Sequence, residues 1–231
     1  MSAQARRNKK ASGSRNFVLY TAIIILIVVL LVVINQVQKK NEGENRELSV
    51  APSTESQPVL GDANAKVSIV EFGDYMCPSC KQWGETIWPQ LQKDYVDTGK
   101  ATFSYVNVDF HNQPSITGAV ASESILQSYP EQFWAFHKAL FDAQPTTNHD
   151  SAWLTEDKVV EVAKATVPTL DEAAFRASLT AEEPTKQFEL DKALYQEFKV
   201  NQTPTIMINE TQIANPFDYA AIKAAIEQNL E

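Results

Sequence analysis

Cys77-Pro78-Ser79-Cys80 constrains this chain more than any other stretch, because its two cysteines are the only ones in 231 residues and stand three positions apart. A lone close pair has the pattern of a redox tool. If Cys77 begins a helix, Cys80 lies about one turn on, near enough for a short disulfide loop to open and close. The Cys77 thiolate then sits among unpaired helix N-terminal N–H groups, which favour negative charge and lower its pKa. Such a thiol is reactive and a good leaving group.

The residues around the pair indicate what carries it. Lys66 to Phe72, KVSIVEF, is β-rich and mostly apolar, as in a buried strand, and Cys77 follows after a four-residue turn. From residue 77 to about 98, Trp83, Ile87, Leu91 and Tyr95 recur at helical spacing until Gly99, and Thr102 to Phe110 then alternates as a second strand. Strand, helix, strand makes a right-handed parallel α/β unit with the cysteines at the strand's C-terminal end, where such sheets usually carry their sites. Residues 114–180 have helical periodicity punctuated by Pro130, Pro145 and Pro168, which predicts an all-α insertion of three or four helices. A further amphipathic helix, Thr185 to Lys199, leads to a late strand after Thr203-Pro204. Asn209-Glu210 is then a two-residue turn into a short strand at Thr211 to Ala214, and a helix at 217–229 closes the chain.

Residues 17–34, FVLYTAIIILIVVLLVVI, contain no charge, Gly or Pro and predict a single transmembrane helix. Arg6, Arg7, Lys9, Lys10 and Arg15 precede it without an acid, placing residues 1–16 in the cytoplasm and the body outside the cell. A cleaved signal peptide is the competing reading, but no small-x-small site follows the run closely. Residues 35–57 read as a flexible, proline-containing linker, and 58–231 as one folded domain. All 29 acidic residues and 13 of the 20 basic ones follow residue 40, an excess of 16 negative charges that argues against nucleic acid and against an anionic membrane surface. Outside the cytoplasm a lone thiol pair has a use in oxidising other proteins.

The order of these parts resembles the DsbA-like thiol-disulfide oxidoreductases of the thioredoxin superfamily, and more narrowly the membrane-anchored forms of Gram-positive bacteria. VSIVEFGDYMCPSCKQW at 67–83 joined to VNQTPTIMIN at 200–209 carries the resemblance most specifically. It implies a thioredoxin fold with a helical insertion, an exposed nucleophilic Cys77, a buried Cys80, and a cis proline at Pro204 that places no N–H donor beside the sulfur. Thr203 would then dock an extended substrate by strand addition. Glu71 falls where relatives carry a buried acid able to accept the Cys80 proton; a half-exposed strand residue is the alternative. Ser79 departs from the histidine of the enterobacterial enzyme, so with Pro78 it leaves the oxidising strength open. The resemblance further implies reduced exported proteins as substrates, a DsbB-like membrane quinone oxidoreductase as reoxidant, and no organic cofactor or catalytic metal. Some relatives carry a structural calcium ion, for which no oxygen-ligand motif of familiar spacing stands in this sequence.

Other readings keep the residues but change the role. A tethered reductase, as in cytochrome maturation, would run electrons the other way. A metal carrier would need more ligands than two cysteines and the scattered His111, His137 and His149 provide. A non-redox holdase would use the acidic surface and need neither cysteine. His137 fits a packing or capping place in an aromatic helix, His111 and His149 fit loops, and Asp74 and Tyr75 border the site as turn-shaping residues.

Overall fold

The computed structural model describes residues 16–32, 43–147 and 151–231. The basic residues before position 16, Val33 and Ile34 at the end of the apolar run, residues 35–42 of the linker, and His149 lie outside the described residues. The chain divides into two compact units, Met1–Glu44 and Asn45–Glu231. In the first, residues 16–32 form helix α1 with its large apolar side chains exposed. No helix among the described residues is long and apolar enough to cross a membrane.

The second unit is built on a six-stranded sheet in the order β1-β6-β5-β3-β4-β2. Its strands are β1 (Arg46–Glu47), β2 (Val59–Leu60), β3 (Val67–Gly73), β4 (Ala101–Asn107), β5 (Thr205–Ile208) and β6 (Thr211–Gln212). β3 and β4 pair in parallel, as the strand, helix, strand order requires, and the other pairs are antiparallel. Arg46–Glu47, inside the span read as linker, is a strand of this sheet. Asn45 Oδ1 accepts the Ala214 N–H at 3.0 Å and Arg46 Nη2 donates to the Phe198 carbonyl at 2.7 Å, fastening this end of the unit.

The helix expected over 77–98 is present in pieces: α2 (Pro78–Thr86), α3 (Trp88–Leu91) and a π turn at Gln92–Val96. The break falls two residues before Pro89, which has no N–H to continue the ladder. Helical spacing survives it, so Trp83, Ile87, Leu91 and Tyr95 still share one buried core. They cover one sheet face with Ile69, Phe103, Ile206 and the closing helix, which is Tyr219–Leu230. The other face packs Val70, Phe72, Val106 and Met207 against Tyr195, Phe198 and Val200 at the end of the helix Glu182–Glu197.

The insertion consists of four helices: α4 (Gln113–Ser128), α5 (Phe133–Asp142), α6 (Glu156–Thr166) and α7 (Glu172–Ser178). α6 and α7 are capped by Thr155 and Asp171, whose side chains accept the N–H groups of Lys158 and Ala174. After the insertion come helices α8 (Glu182–Glu197) and α9 (Tyr219–Leu230). The insertion has its own core of Ile125, Phe133, Phe136, Leu140, Val159 and Phe175, and that core also takes in Tyr75, Cys77, Cys80 and Tyr105. The cysteine pair therefore lies on the seam between sheet and insertion.

Candidate active site

Asp74 builds the turn that delivers β3 to the cysteines. Its buried carboxylate accepts the Met76 N–H at 2.8 Å, and His111 Nδ1 and Ser115 Oγ reach it at 2.8 and 2.9 Å. Its backbone carbonyl accepts the Cys77 N–H at 2.9 Å. His111 lies in a turn, as expected of a loop residue, and its partner there is Asp74. On the opposite side, the buried Gln144 Nε2 donates to the carbonyls of Tyr75 at 2.7 Å and Cys77 at 3.1 Å. Nothing in the sequence marks Gln144, because it joins the turn only through tertiary contact 67 residues away.

So held, Cys77 is the N-cap of α2. Pro78 follows in the first turn, where its missing N–H costs nothing and its fixed φ suits the helix. Pro78 and Ser79 form an exposed lip over the pair. Cys80 lies one turn in and is 1 % exposed. Cys77 is also largely covered, at 7 %, contrary to the exposed thiol expected, because its Sγ sits 3.4 Å from the Thr203 carbonyl. The Thr203–Pro204 peptide is cis. The fold thus gathers Cys77, Cys80, Thr203 and Pro204 from two distant segments.

The two thiols differ sharply. Cys77 is drawn down to about 5, chiefly by hydrogen bonding with the Cys80 thiol, with help from Thr203 and from the Ser79 and Cys80 N–H groups, and against the opposing effect of burial. Burial pushes Cys80 well above the usual thiol value, and its hydrogen bond to Cys77 and the nearby Glu71 add to the shift.

Glu71 is buried, which decides between the two readings of this residue. It stands in register between Tyr105 on β4 and Ile206 on β5, facing α2. Burial first, and the Cys77 charge second, raise its carboxyl well above the ordinary range, which favours the protonated form. Its Oε1 is buried with no hydrogen-bond partner. His137 is packed among aromatic rings and hydrogen-bonded to the Tyr75 hydroxyl at 2.9 Å, and burial lowers it to about 3, leaving it neutral. Trp83, wholly buried beside Cys80, donates its Nε1–H to the Pro216 carbonyl at 2.9 Å.

Among the described residues no group of three or more His, Cys, Asp or Glu side chains could hold a metal. A smaller oxygen-rich cluster lies behind β4. Asn107 Nδ2 donates at 2.8 Å to both Glu123 and Asp191, and Gln57 Nε2 donates to Asp191 at 2.6 Å, while Gln57 Oε1 is buried and unpartnered. Burial, and then the neighbouring carboxylate, raise Glu123, so the two acids hold a proton between them.

Comparison with known proteins agrees with this geometry. Residues 53–228 match the family model described as thioredoxin. "Disulfide bond formation protein D" of Bacillus subtilis is 42 % identical over 192 residues, covering 83 % of this chain and 85 % of its own length. The "Probable disulfide bond formation protein D" of Bacillus anthracis is 32 % identical over 76 % of this chain and 79 % of its own. The crystal structure of oxidised BdbD from Bacillus subtilis superposes with a TM-score of 0.75 at 41 % identity, covering 80 % of this chain and 98 % of that one. A reactive N-cap thiol, a buried partner three residues on and a facing Thr-Pro segment suit disulfide exchange, and the chain belongs to the thioredoxin family as a DsbA-like protein thiol-disulfide oxidoreductase.

Proposed function

We propose that the protein is an oxidase that donates the Cys77–Cys80 disulfide to exported proteins. The observation that carries this reading is the split between the thiols: Cys77 drawn down to about 5, Cys80 pushed up. A stabilised Cys77 thiolate favours the reduced enzyme, which makes its disulfide easy to give away. A substrate thiolate attacks Cys77 Sγ and breaks the Cys77–Cys80 bond, and Cys80 leaves as a thiolate. Glu71, protonated beside it, supplies the proton that Cys80 retains, and takes it back when the pair is reoxidised. The substrate's second thiolate then attacks its own sulfur in the mixed disulfide, and Cys77 departs as the stable thiolate. The substrate has lost two electrons and the enzyme has gained them. Thr203 holds the incoming segment by its backbone.

The location follows from charge and hydropathy: residues 17–34 tether the enzyme to the cell membrane, with the N-terminus cytoplasmic and the catalytic unit outside. A DsbB-like quinone oxidoreductase in the same membrane returns it to the disulfide form, and tethering raises the effective concentration of each for the other. A structural calcium ion fits the cluster of Gln57, Glu123 and Asp191, since all three offer hard oxygens once the Gln57 amide turns its unpartnered Oε1 inward. When bound, the ion would neutralise the buried carboxylate pair.

Equilibration of residues 45–231 in graded glutathione buffers, with thiol state read by alkylation, tests the direction. A potential above roughly −180 mV supports the oxidase, and one near about −270 mV moves the assignment to a reductase. A Cys77→Ser protein that still oxidises a dithiol peptide would overturn both.

A further inference from the structure

A cavity of about 470 Å³ opens beside the buried end of the cysteine pair. Trp88, Phe103, Trp134 and Phe141 line it, together with Glu71 and Cys80. Trp88 and Trp134 flank the Phe103 ring at 4.1 and 5.5 Å between centroids, so one wall is a continuous aromatic surface. That volume and lining are those of a small-molecule site, which typically combines apolar walls with a few convergent polar groups.

Packing leaves two of its features unexplained. Glu71 is wholly buried, yet its Oε1 has no partner in the protein. Gly84 lies within α2, where glycine weakens a helix, and a Cβ placed there would meet no atom within 4 Å. No close approach requires the missing side chain. Gly84 itself lines the cavity, and its bareness keeps the cavity open past α2.

The interior carries no charge to attract an ion. Burial favours the protonated form of Glu71 and the neutral form of His137, also in the lining. At the rim Lys138 is paired with Asp142 at 2.6 Å, and Lys81 is engaged with the carbonyls of Asp142 and Gln144. Among the buried polar atoms of this lining, Glu71 Oε1 is left without a hydrogen-bond partner, while Glu85 stands exposed at the rim.

We propose that this cavity binds a small, neutral, planar aromatic molecule bearing a carbonyl or similar acceptor, and that its occupancy restrains the exchange chemistry of Cys80. The ring lies along the Trp88, Phe103 and Trp134 wall while the acceptor takes the Glu71 O–H. No covalent bond forms. A Glu71 proton engaged by the ligand is withheld from the departing Cys80 thiolate, and this second half rests on the proton role given to Glu71 above.

The probe is 1-naphthamide, titrated calorimetrically into the full chain in lipid nanodiscs with empty nanodiscs subtracted. Binding at roughly 1 mM or tighter is expected for a ligand of this size. Gly84→Leu, which blocks the opening without burying a polar group, weakens binding at least about tenfold, and 1-naphthoate, an anionic isostere, binds at least about tenfold more weakly than the amide. Saturating probe slows disulfide donation to a dithiol peptide severalfold in the wild type and leaves the Gly84→Leu rate unchanged. No binding, equal binding by the Gly84→Leu protein, equal binding of 1-naphthoate, or binding with an unaltered exchange rate would each overturn the proposal. A Glu71→Gln protein that donates at the wild-type rate without probe would instead fault the proton role, a failure that calorimetry tells apart from the first.

Discussion

Cys77 and Cys80 differ in charge at neutral pH although one helical turn separates them, and the difference has measurable signs. Alkylation of the reduced protein by iodoacetamide is expected to modify Cys77 alone under native conditions, with a rate half-maximal near pH 5, followed by mass spectrometry. The same shift is a statement about stability. Cys77 is depressed from 9.0, so its stabilisation of the reduced fold is complete above about pH 9 and is lost as pH falls through about 5. The Tm of the reduced protein relative to the oxidised one should therefore rise between those limits. Glu71 has the opposite sign. Raised from 4.5 by burial, it contributes most below that pH and costs progressively more above it. Glu71→Leu is expected to stabilise the protein by about 1–3 kcal/mol at neutral pH, by a margin that widens as pH rises, while slowing disulfide donation about 10²-fold. Denaturant melts at several pH values and stopped-flow exchange would check the two halves separately.

The strands and helices were readable from the sequence wherever one periodicity ruled a whole segment. β3 and β4 fall within a few residues of their expected positions, and the four insertion helices fall in the stretch read as helical, with α4 starting one residue before it at Gln113. Misreadings occurred where a local rule competed with the period. Trp83, Ile87, Leu91 and Tyr95 keep their spacing across the break before Pro89, so the pattern of apolar residues hides it. At the site, the cysteines were visible because their spacing is local to a few residues, and Thr203-Pro204 through the family resemblance. The partners of His111 and Gln144 were not, because each depends on a contact made across the chain, and the fold decides for the buried Glu71 that the resemblance implied over the half-exposed alternative. Gln144→Ala tests that dependence: leaving the Tyr75 and Cys77 carbonyls unpaired should cost about 1–3 kcal/mol in a urea melt and broaden the pH profile of Cys77 alkylation. Gly73 is a second such point, since a Cβ there would lie 2.4 Å from the Tyr105 ring, and Gly73→Ala should destabilise the β3 end by forcing that ring aside.

Across the molecule, the end of the stretch read as linker joins the folded unit, because Asn45, Arg46 and Gln57 each find a partner there that composition alone does not reveal. Gln57 also connects this strap to the Glu123–Asp191 pair. If the pair takes calcium, millimolar calcium should raise the Tm of the wild type and leave Asp191→Asn unmoved, by differential scanning calorimetry with and without chelator. The strap has one more effect. It supplies β1 and β2, two-residue strands that occupy the two margins of the sheet. A catalyst whose clients arrive unfolded, with their own backbone groups unsatisfied, is exposed to co-aggregation with them at every encounter. Margins this short give an unfolded client almost no ladder on which to nucleate fibrous growth, which guards such a catalyst against recruitment into its clients' aggregates.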